Sequence, residues 1–268
     1  MGFTTRTDNW WIGPMLVLFG LLSFIVYSTW AAWQGEYFWW NGGSEGFGGY
    51  LSPFYSPTIY IDSAKPGVPP IGHALLGSWP EWLQWLPGQS PAWLILIFPL
   101  SFRFTCYYYR KAYYRAFAWS PPACAVGAVP QKPYKGETGL LVIQNLHRYA
   151  MYFAVVFIFL LSYDAVMAFF RNGEFGVGVG SIVLLINPIL LGGYTFGCHS
   201  IRHLVGGKMD CFSCSHSAEH SHSRWKIVTY LNRRHQMFAW FSLVWVGLSD
   251  VYVRLVSMGV ITDLNTWV

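Results

Sequence analysis

The sequence predicts an all-α, polytopic membrane protein with five transmembrane helices in one bundle. Three observations lead to this fold class. The 268-residue chain is 54% hydrophobic and only 11% charged, whereas soluble domains carry about a quarter charged residues. Several apolar stretches are long enough to cross a hydrocarbon core of about 30 Å as helices. The 15 Trp and 17 Tyr are typical of the aromatic belts at membrane interfaces.

Each predicted helix is a long apolar run, and together the five runs account for one membrane domain over residues 1–268. The first is expected to be retained, because its apolar core is too long for a signal peptide and no small-residue cleavage site follows it. Arg103 and Arg110 interrupt the second helix and are expected to snorkel toward the interface. The predicted ranges are 13–33, 92–116, 147–170, 177–204 and 235–258.

The basic residues are distributed unevenly over the predicted connections. Fourteen of the seventeen Lys and Arg fall on one side of the membrane, which the positive-inside rule assigns to the cytoplasm. The N-terminus is therefore predicted to be cytoplasmic, with a long outer connection at 34–91 after the first helix. No nucleic-acid signature accompanies the positive charge. The fourteen residues are Arg6, Arg103, Arg110, Lys111, Arg115, Lys132, Lys135, Arg148, Arg202, Lys208, Arg224, Lys226, Arg233 and Arg234.

Sulfur and imidazole side chains are concentrated where the fourth helix reaches the cytoplasmic face. The segment GCHSIRHLVGGKMDCFSCSH, residues 197–216, holds three of the five cysteines and three of the eight histidines. His199 and His203 are four residues apart and share one helix face. Cys211 and Cys214 form a C-x-x-C pair, whose two thiolates can bind one metal ion. We therefore predict a metal site made by His199, His203, Cys211 and Cys214.

Three chemistries compete for this predicted site. A Rieske-like [2Fe-2S] cluster takes two cysteines on one iron and two histidines on the other. A structural zinc takes the same donor set, which would make the chain a membrane scaffold without a redox role. Haem b takes histidines from different helices, and His147 and His235 both begin helices near the same face. Cys124 and Cys198 are rival ligands, whereas Cys106 is expected to pack as a small apolar residue.

A short motif resembles the signature of the cytochrome b-like membrane-anchor subunits of succinate dehydrogenase and fumarate reductase. That signature reads His, three residues, Gly, one residue, Arg-His, and then an Asp. Here Arg202 and His203 match its Arg-His pair, while Ser200 replaces the Gly and Phe196 replaces the haem-ligating histidine. Asp210 falls three residues late. Because phenylalanine cannot ligate iron, this departure favours the Cys/His iron–sulfur cluster over haem b.

The resemblance implies a five-helix, single-chain membrane anchor in the cell inner (plasma) membrane. In such a complex a flavoprotein subunit oxidises succinate, and an iron–sulfur subunit passes the electrons to the anchor, which delivers them to a quinone. The chain itself would dehydrogenate nothing; membrane lipids would surround it. The quinone-binding residues expected near the cytoplasmic helix ends are Trp10, Trp11, Tyr107, Arg110, His147, Arg148 and Arg202.

Three ionisable residues lie deeper in the predicted helices. Charged groups inside a membrane are costly, so each is a candidate for function. Asp250 and Arg254 are four residues apart in the fifth helix and are expected to neutralise each other. Asp164, toward the outer side of the third helix, is a candidate for a proton path to an outer quinone site.

Overall fold

A computed structural model of the chain describes residues 3–43, 48–130, 143–207 and 209–267. The structure is mostly helical, with two small antiparallel strand pairs. The α-helices are α1 Ile12–Gln34, α2 Ala92–Ile95, α3 Ile97–Thr105, α4 Tyr107–Ala112, α5 His147–Met167, α6 Val179–Phe196, α7 His199–Gly206, α8 His216–Arg233 and α9 His235–Ser257. A π-helix, Tyr113–Phe117, follows α4, and three short 3-10 helices, Ile71–His73, Glu81–Leu83 and Pro87–Gln89, lie in the connection before α2. The strands are β1 Trp39–Trp40, β2 Tyr50–Leu51, β3 Phe170–Arg171 and β4 Glu174–Phe175.

Four helices among the described residues are long and apolar enough to cross a membrane: α1, α5, α6 and α9. The multi-pass membrane fold is thereby supported. The count of five spans and the cytoplasmic N-terminus stay predictions. Lys132, Lys135 and Lys208, which contributed to the predicted orientation, lie outside the described residues.

The second predicted helix is not one uninterrupted helix. Its apolar part, α2 and α3, covers only Ala92–Thr105. At Cys106 the backbone becomes extended, with φ −62° and ψ 127°, before α4 begins. Arg103 does not snorkel, because its guanidinium donates hydrogen bonds inward to the Tyr109 hydroxyl at 3.0 Å and the Ser242 Oγ of α9 at 2.8 Å. The arginine is thus tolerated in the bundle through polar partners on neighbouring helices.

The fourth predicted helix is also divided. It ends at Phe196, and Cys198 is extended, with φ −66° and ψ 144°, before α7 begins. The connection that follows, expected to be a loop, contains the polar helix α8. The Ser215 hydroxyl caps α8 by accepting a hydrogen bond from the Ala218 backbone N–H at 3.2 Å, which satisfies one of the free donors at a helix start.

The outer connection packs against the bundle. Strands β1 and β2 pair Trp39 with Leu51, and the rings of Phe38 and Tyr55 stack with centroids 4.1 Å apart. The predicted pair of Asp250 and Arg254 is confirmed, with a nitrogen–oxygen distance of 2.8 Å. Hydrogen bonds also connect this pair to α1 and the outer connection. Asp250 accepts from the hydroxyls of Tyr27 and Ser52, and Arg254 donates to the carbonyls of Ala31 and Glu36.

Asp164 lies in α5, where its carboxylate accepts a hydrogen bond from the Ser56 hydroxyl of the outer connection. This contact gives the half-buried carboxyl group a polar partner, as polar groups removed from water require. Its proposed place on a proton path stays a prediction.

Candidate metal centre and adjoining cavities

Two helix breaks place two cysteine thiols in the middle of the bundle. Cys106 separates α3 from α4, and Cys198 separates α6 from α7. The two residues are only 2% and 0% exposed. Both sulfur atoms therefore sit in a water-poor environment beside the ends of four helices.

Three histidines reach the same region because each is the first residue of its helix. His147 begins α5, His199 begins α7 and His235 begins α9. His147 Nε2 lies 3.0 Å from Cys198 Sγ, and His235 Nε2 lies 3.6 Å from Cys106 Sγ. We call these five residues, Cys106, Cys198, His147, His199 and His235, the Cys–His cluster.

His199 completes the cluster on its exposed side. Its Nδ1 lies 3.9 Å from Cys198 Sγ, and its ring stacks on that of His147 with centroids 5.6 Å apart. One ligating atom from each of His147, Cys198 and His199 lies within 4.8 Å of the other two. This spacing is short enough for a single metal centre to contact all three.

Neighbouring side chains orient the imidazoles. The Thr105 hydroxyl donates to the Ser101 carbonyl at 2.7 Å, so its oxygen can accept from His147 Nδ1, 3.0 Å away. That contact leaves His147 Nε2, the nitrogen facing Cys198, free to bind a metal. A second-sphere partner of this kind is usual for metal-binding histidines. Among the described residues, the buried Nδ1 of His235 has no hydrogen-bond partner.

Aromatic rings close the cluster on the membrane side. Phe102 stacks on His147 with centroids 4.7 Å apart and an interplanar angle of 8°. Tyr194 stacks on His235 at 4.7 Å, and the Arg103 guanidinium lies 4.8 Å from the Tyr194 ring centroid. The two rings shield the cysteines from water, and the Arg103 guanidinium places a positive charge against the Tyr194 ring.

The four predicted ligands are not brought together in this structure; of the four, only His199 belongs to the Cys–His cluster. His203 Nδ1 lies 2.7 Å from an Arg148 guanidinium nitrogen. Cys211 and Cys214 are joined by a disulfide bond, so neither offers a thiolate in this state. The rival ligand Cys198 does belong to the cluster, whereas the other rival, Cys124, is an exposed free cysteine.

Cys106 is the cluster member that sequence reasoning missed as a ligand. A signal was present, because Cys106 lies within the run that Arg103 and Arg110 interrupt. A helix kinks where a side chain inserts into its backbone hydrogen bonds, so the polar interruption of this apolar run indicated a break near Cys106. His147 and His235 were recognised as helix-initial residues near one face, but only as haem candidates.

The predicted quinone-binding residues do not line one pocket. Trp10 borders a cavity at the N-terminal end of α1. Trp11 and Tyr107 are exposed, and the Arg110 guanidinium lies 5.2 Å from the Tyr107 ring centroid. The other three lie apart: His147 in the cluster, Arg148 beside His203, and Arg202 against Thr229 and Trp225.

A second cavity lies inside the bundle and adjoins the Cys–His cluster. It has a volume of about 370 Å³ and is walled by α1, α3, α5, α6 and the outer connection. Most of its lining is apolar, including Phe54 and Trp93. Phe102, Arg103, Tyr194 and Thr195 line it as well, and the first and third of these also stack on cluster histidines. We call it the bundle cavity.

Comparison with known proteins places this geometry in a family. The family model described as actinobacterial succinate dehydrogenase subunit SdhC matches residues 12–259. A solved structure, the Mycobacterium smegmatis Sdh1 complex in the apo form, is similar with a TM-score of 0.82 and 40% identity. The similarity covers 99% of this chain and 94% of that one. A comparison with curated protein sequences gave no significant match.

The sequence resemblance to succinate dehydrogenase membrane anchors is thereby confirmed, as are a multi-pass location in the inner membrane and membership of a multi-subunit complex. The chain belongs to the SdhC family of membrane-anchor subunits of actinobacterial succinate dehydrogenase.

Proposed function

We propose that this chain conducts electrons from the iron–sulfur subunit of its complex to a quinone, through a Rieske-like [2Fe-2S] centre held by the Cys–His cluster. The observation that carries the proposal is the convergence of two buried thiols and three imidazoles from four separate helix starts. The flavoprotein and iron–sulfur subunits are the partners that a succinate dehydrogenase anchor requires.

The donor set matches the chemistry of such a centre. Cys106 and Cys198 would supply the two thiolates, and His147 and His235 the two imidazoles, that a centre of this kind takes. His147 and His235 each face a cysteine through Nε2, and the buried Nδ1 of His235 has no hydrogen-bond partner among the described residues. His199, on the exposed side, is the third imidazole and the alternative ligand. When bound, a centre of this kind supplies a one-electron carrier whose imidazole ligands raise its potential.

The protein residues around the centre have separate tasks. Thr105 holds His147 in the tautomer that presents Nε2 to the cluster. Phe102 and Tyr194 exclude water, which strengthens electrostatic interactions in the site. Arg103 places a fixed positive charge between the cluster and the bundle cavity.

The bundle cavity is suited to a quinone. Its apolar walls suit an isoprenoid tail, and ligand pockets of this size are typically apolar with a few polar groups. Arg103 and Thr195 offer hydrogen-bond donors to a quinone carbonyl on a wall shared with the Cys–His cluster. The cytoplasmic residues predicted from the sequence, from Trp10 to Arg202, remain a second proposal for a headgroup site.

Haem b fits this geometry less well, and zinc fits the same ligands but would carry no electrons. Neither of the two cavities described is lined by a histidine, whereas a haem b pocket needs axial histidines facing it. A zinc ion would accept the same two thiolates and two imidazoles, but it would make the chain a structural scaffold without electron transfer.

Electron paramagnetic resonance of the reduced complex tests the proposal. We expect a Rieske-type signal that is lost in Cys106→Ser and in Cys198→Ser, with two iron atoms fewer per complex by metal analysis. Cys211→Ser and Cys214→Ser are matched controls and should keep the signal. Loss of the signal only in these two controls would instead support the ligand set predicted from the sequence, and a colourless, zinc-loaded anchor would support the scaffold.

A pair of substitutions tests the quinone site separately. Arg103→Gln should raise the quinone KM and slow quinone reduction, while succinate oxidation with a soluble electron acceptor continues unchanged. Arg202→Gln, on the predicted cytoplasmic site, is the matched control. If Arg202→Gln impairs quinone reduction and Arg103→Gln does not, the quinone lies at the cytoplasmic site.

A further inference from the structure

The cavity at the N-terminal end of α1 is built for an anion. It has a volume of about 300 Å³ and is formed by α1, α4, the π-helix Tyr113–Phe117 that follows α4, the segment 122–124 and the start of α9. Three cationic side chains line it: Arg6, Lys111 and Arg115. We call it the basic cavity.

The positive charge in the basic cavity is only partly balanced. Arg6 pairs with Asp8. In the part of the chain that the structure describes, Lys111 and Arg115 have no carboxylate partner. The Arg115 Nε is buried without a hydrogen-bond partner among those same residues. A buried unsatisfied donor on a charged group is costly, so an anionic ligand that accepts from it would stabilise the site.

A neighbouring thiol responds to the same positive charge. An Arg115 guanidinium nitrogen lies 3.4 Å from Cys124 Sγ. This hydrogen bond and the attraction of the charge lower the pKa of the Cys124 thiol, with Lys111 and Arg6 adding to the effect. The cavity therefore favours negative charge at the position where a ligand would sit.

Its position in the bundle selects the kind of anion. Trp10 and Trp240 border the cavity, as is usual at the level of lipid headgroups. Trp240 donates to the Tyr108 oxygen at 3.2 Å, which leaves the Tyr108 hydroxyl proton for another acceptor. On the adjoining face of α9, Met237 follows the lining residue Gln236 and Val244 lies one turn after Trp240, and they are 42% and 54% exposed. A ligand with a phosphate head and apolar chains matches both surfaces.

We propose that the basic cavity binds the headgroup of an acidic phospholipid. The phosphate would accept hydrogen bonds from Arg115, Lys111 and Tyr108, and the acyl chains would lie along the adjoining apolar face of α9. Basic pockets between transmembrane helices bind anionic lipid headgroups in this way. A free phosphate ion offers the same head chemistry without the chains, so the two sources have to be separated by experiment.

Native mass spectrometry of the full chain in nanodiscs tests the proposal. The discs contain equal parts phosphatidylglycerol and phosphatidylcholine. We expect the wild-type chain to retain phosphatidylglycerol with about a tenfold preference, and the double variant Lys111→Gln/Arg115→Gln to lose that preference. Arg224→Gln/Lys226→Gln removes the same charge from exposed positions on α8 and should keep it. The exchanged pair Lys111→Arg/Arg115→Lys should restore most of the preference, which excludes misfolding as the cause of a loss.

Three results would overturn the proposal. Equal loss in both charge-removing variants would mean that overall charge, and not the basic cavity, attracts the lipid. Displacement of phosphatidylglycerol by excess inorganic phosphate would identify a free phosphate as the ligand. Displacement by a short-chain quinone would make the cavity a quinone headgroup site.

Discussion

At the scale of single residues, the Cys–His cluster depends on two cysteines at which the backbone leaves the helical conformation. Cys106 and Cys198 each interrupt a helix, and each break turns a sulfur atom into the bundle. Each histidine of the cluster is the first residue of its helix, and its ring lies beside one of the two cysteines. The site is thus assembled from chain positions where regular structure starts or stops.

Thr105 is the residue whose role can be isolated most cleanly. Thr105→Val keeps the shape of the side chain but removes the oxygen that His147 Nδ1 faces at 3.0 Å. We expect the proposed [2Fe-2S] centre still to form but to have a higher reduction potential. An imidazole whose Nδ1–H no longer donates a hydrogen bond is a weaker ligand. Redox titration followed by electron paramagnetic resonance measures the shift. Thr229→Val, which lies beside Arg202, is the control; an unchanged potential in Thr105→Val would contradict this role.

At the scale of elements, α6 and α9 are the most closely packed pair of helices in the bundle core. A Cβ added at Gly193 of α6 would lie 2.5 Å from the ring of Phe238 in α9. By contrast, a Cβ at Gly247 of α9 would meet Phe24 at 3.7 Å, an ordinary contact distance. The absence of a side chain at Gly193 therefore lets His235, three residues before Phe238, approach Cys106.

Alanine substitutions at these two glycines make a matched comparison. Gly193→Ala should destabilise the chain by about 1–3 kcal/mol through overpacking and weaken the Rieske-type signal by moving α9. Gly247→Ala should change neither property appreciably. Thermal unfolding in detergent and signal intensity per chain are the measurements. Equal tolerance of both substitutions would show that the α6–α9 contact does not position the cluster.

Sequence reasoning succeeded for elements with a strong apolar signal and failed where polar contacts decide the backbone. The ranges of α1, α5 and α9 follow closely from apolar runs whose length matches a membrane. The break at Cys106 does not, because Arg103 is satisfied by Tyr109 and Ser242, one near in sequence and one far. Helix α8 is polar, so no apolar run marks it.

The kinds of ligand in the candidate site were easier to predict from the sequence than the particular residues that supply them. Cysteine and histidine near the end of the fourth helix predicted a mixed-ligand centre, and Cys198 and His199 do belong to the Cys–His cluster. The C-x-x-C motif drew attention to Cys211 and Cys214, because neighbouring thiols are visible in a sequence. Cys106 and Cys198 are separated by 92 residues, so only the packed bundle shows that they belong to one buried core.

At the scale of the whole molecule, the outer connection fastens α1 to α9. Asp250 and Arg254 are 0% and 3% exposed, and their partners Tyr27, Ser52 and Ala31 come from α1 and the outer connection. The cluster and the basic cavity lie toward the other end of these helices. A single polar network thus ties the C-terminal halves of α1 and α9 to the connection 34–91, and α9 also carries His235 of the Cys–His cluster.

Breaking this network should loosen the whole bundle. Arg254→Met leaves the Asp250 carboxylate buried without its cation, which typically costs about 3–5 kcal/mol. The expected result is a lower melting temperature and less assembled complex in the membrane. The double variant Asp250→Asn/Arg254→Met removes the unpaired charge and should recover part of the loss. An unchanged melting temperature in Arg254→Met would show that the ion pair does not stabilise the bundle.

The proposed electron transfer would depend on iron bound to histidine nitrogen, and pulsed electron paramagnetic resonance detects such a bond directly. In the reduced complex labelled with ¹⁵N-histidine, the account predicts strong couplings from two histidine nitrogens, one of which disappears in His147→Gln and one in His235→Gln. A spectrum without histidine couplings, or one that both substitutions leave unchanged, would contradict the assignment of a Rieske-like centre to the Cys–His cluster.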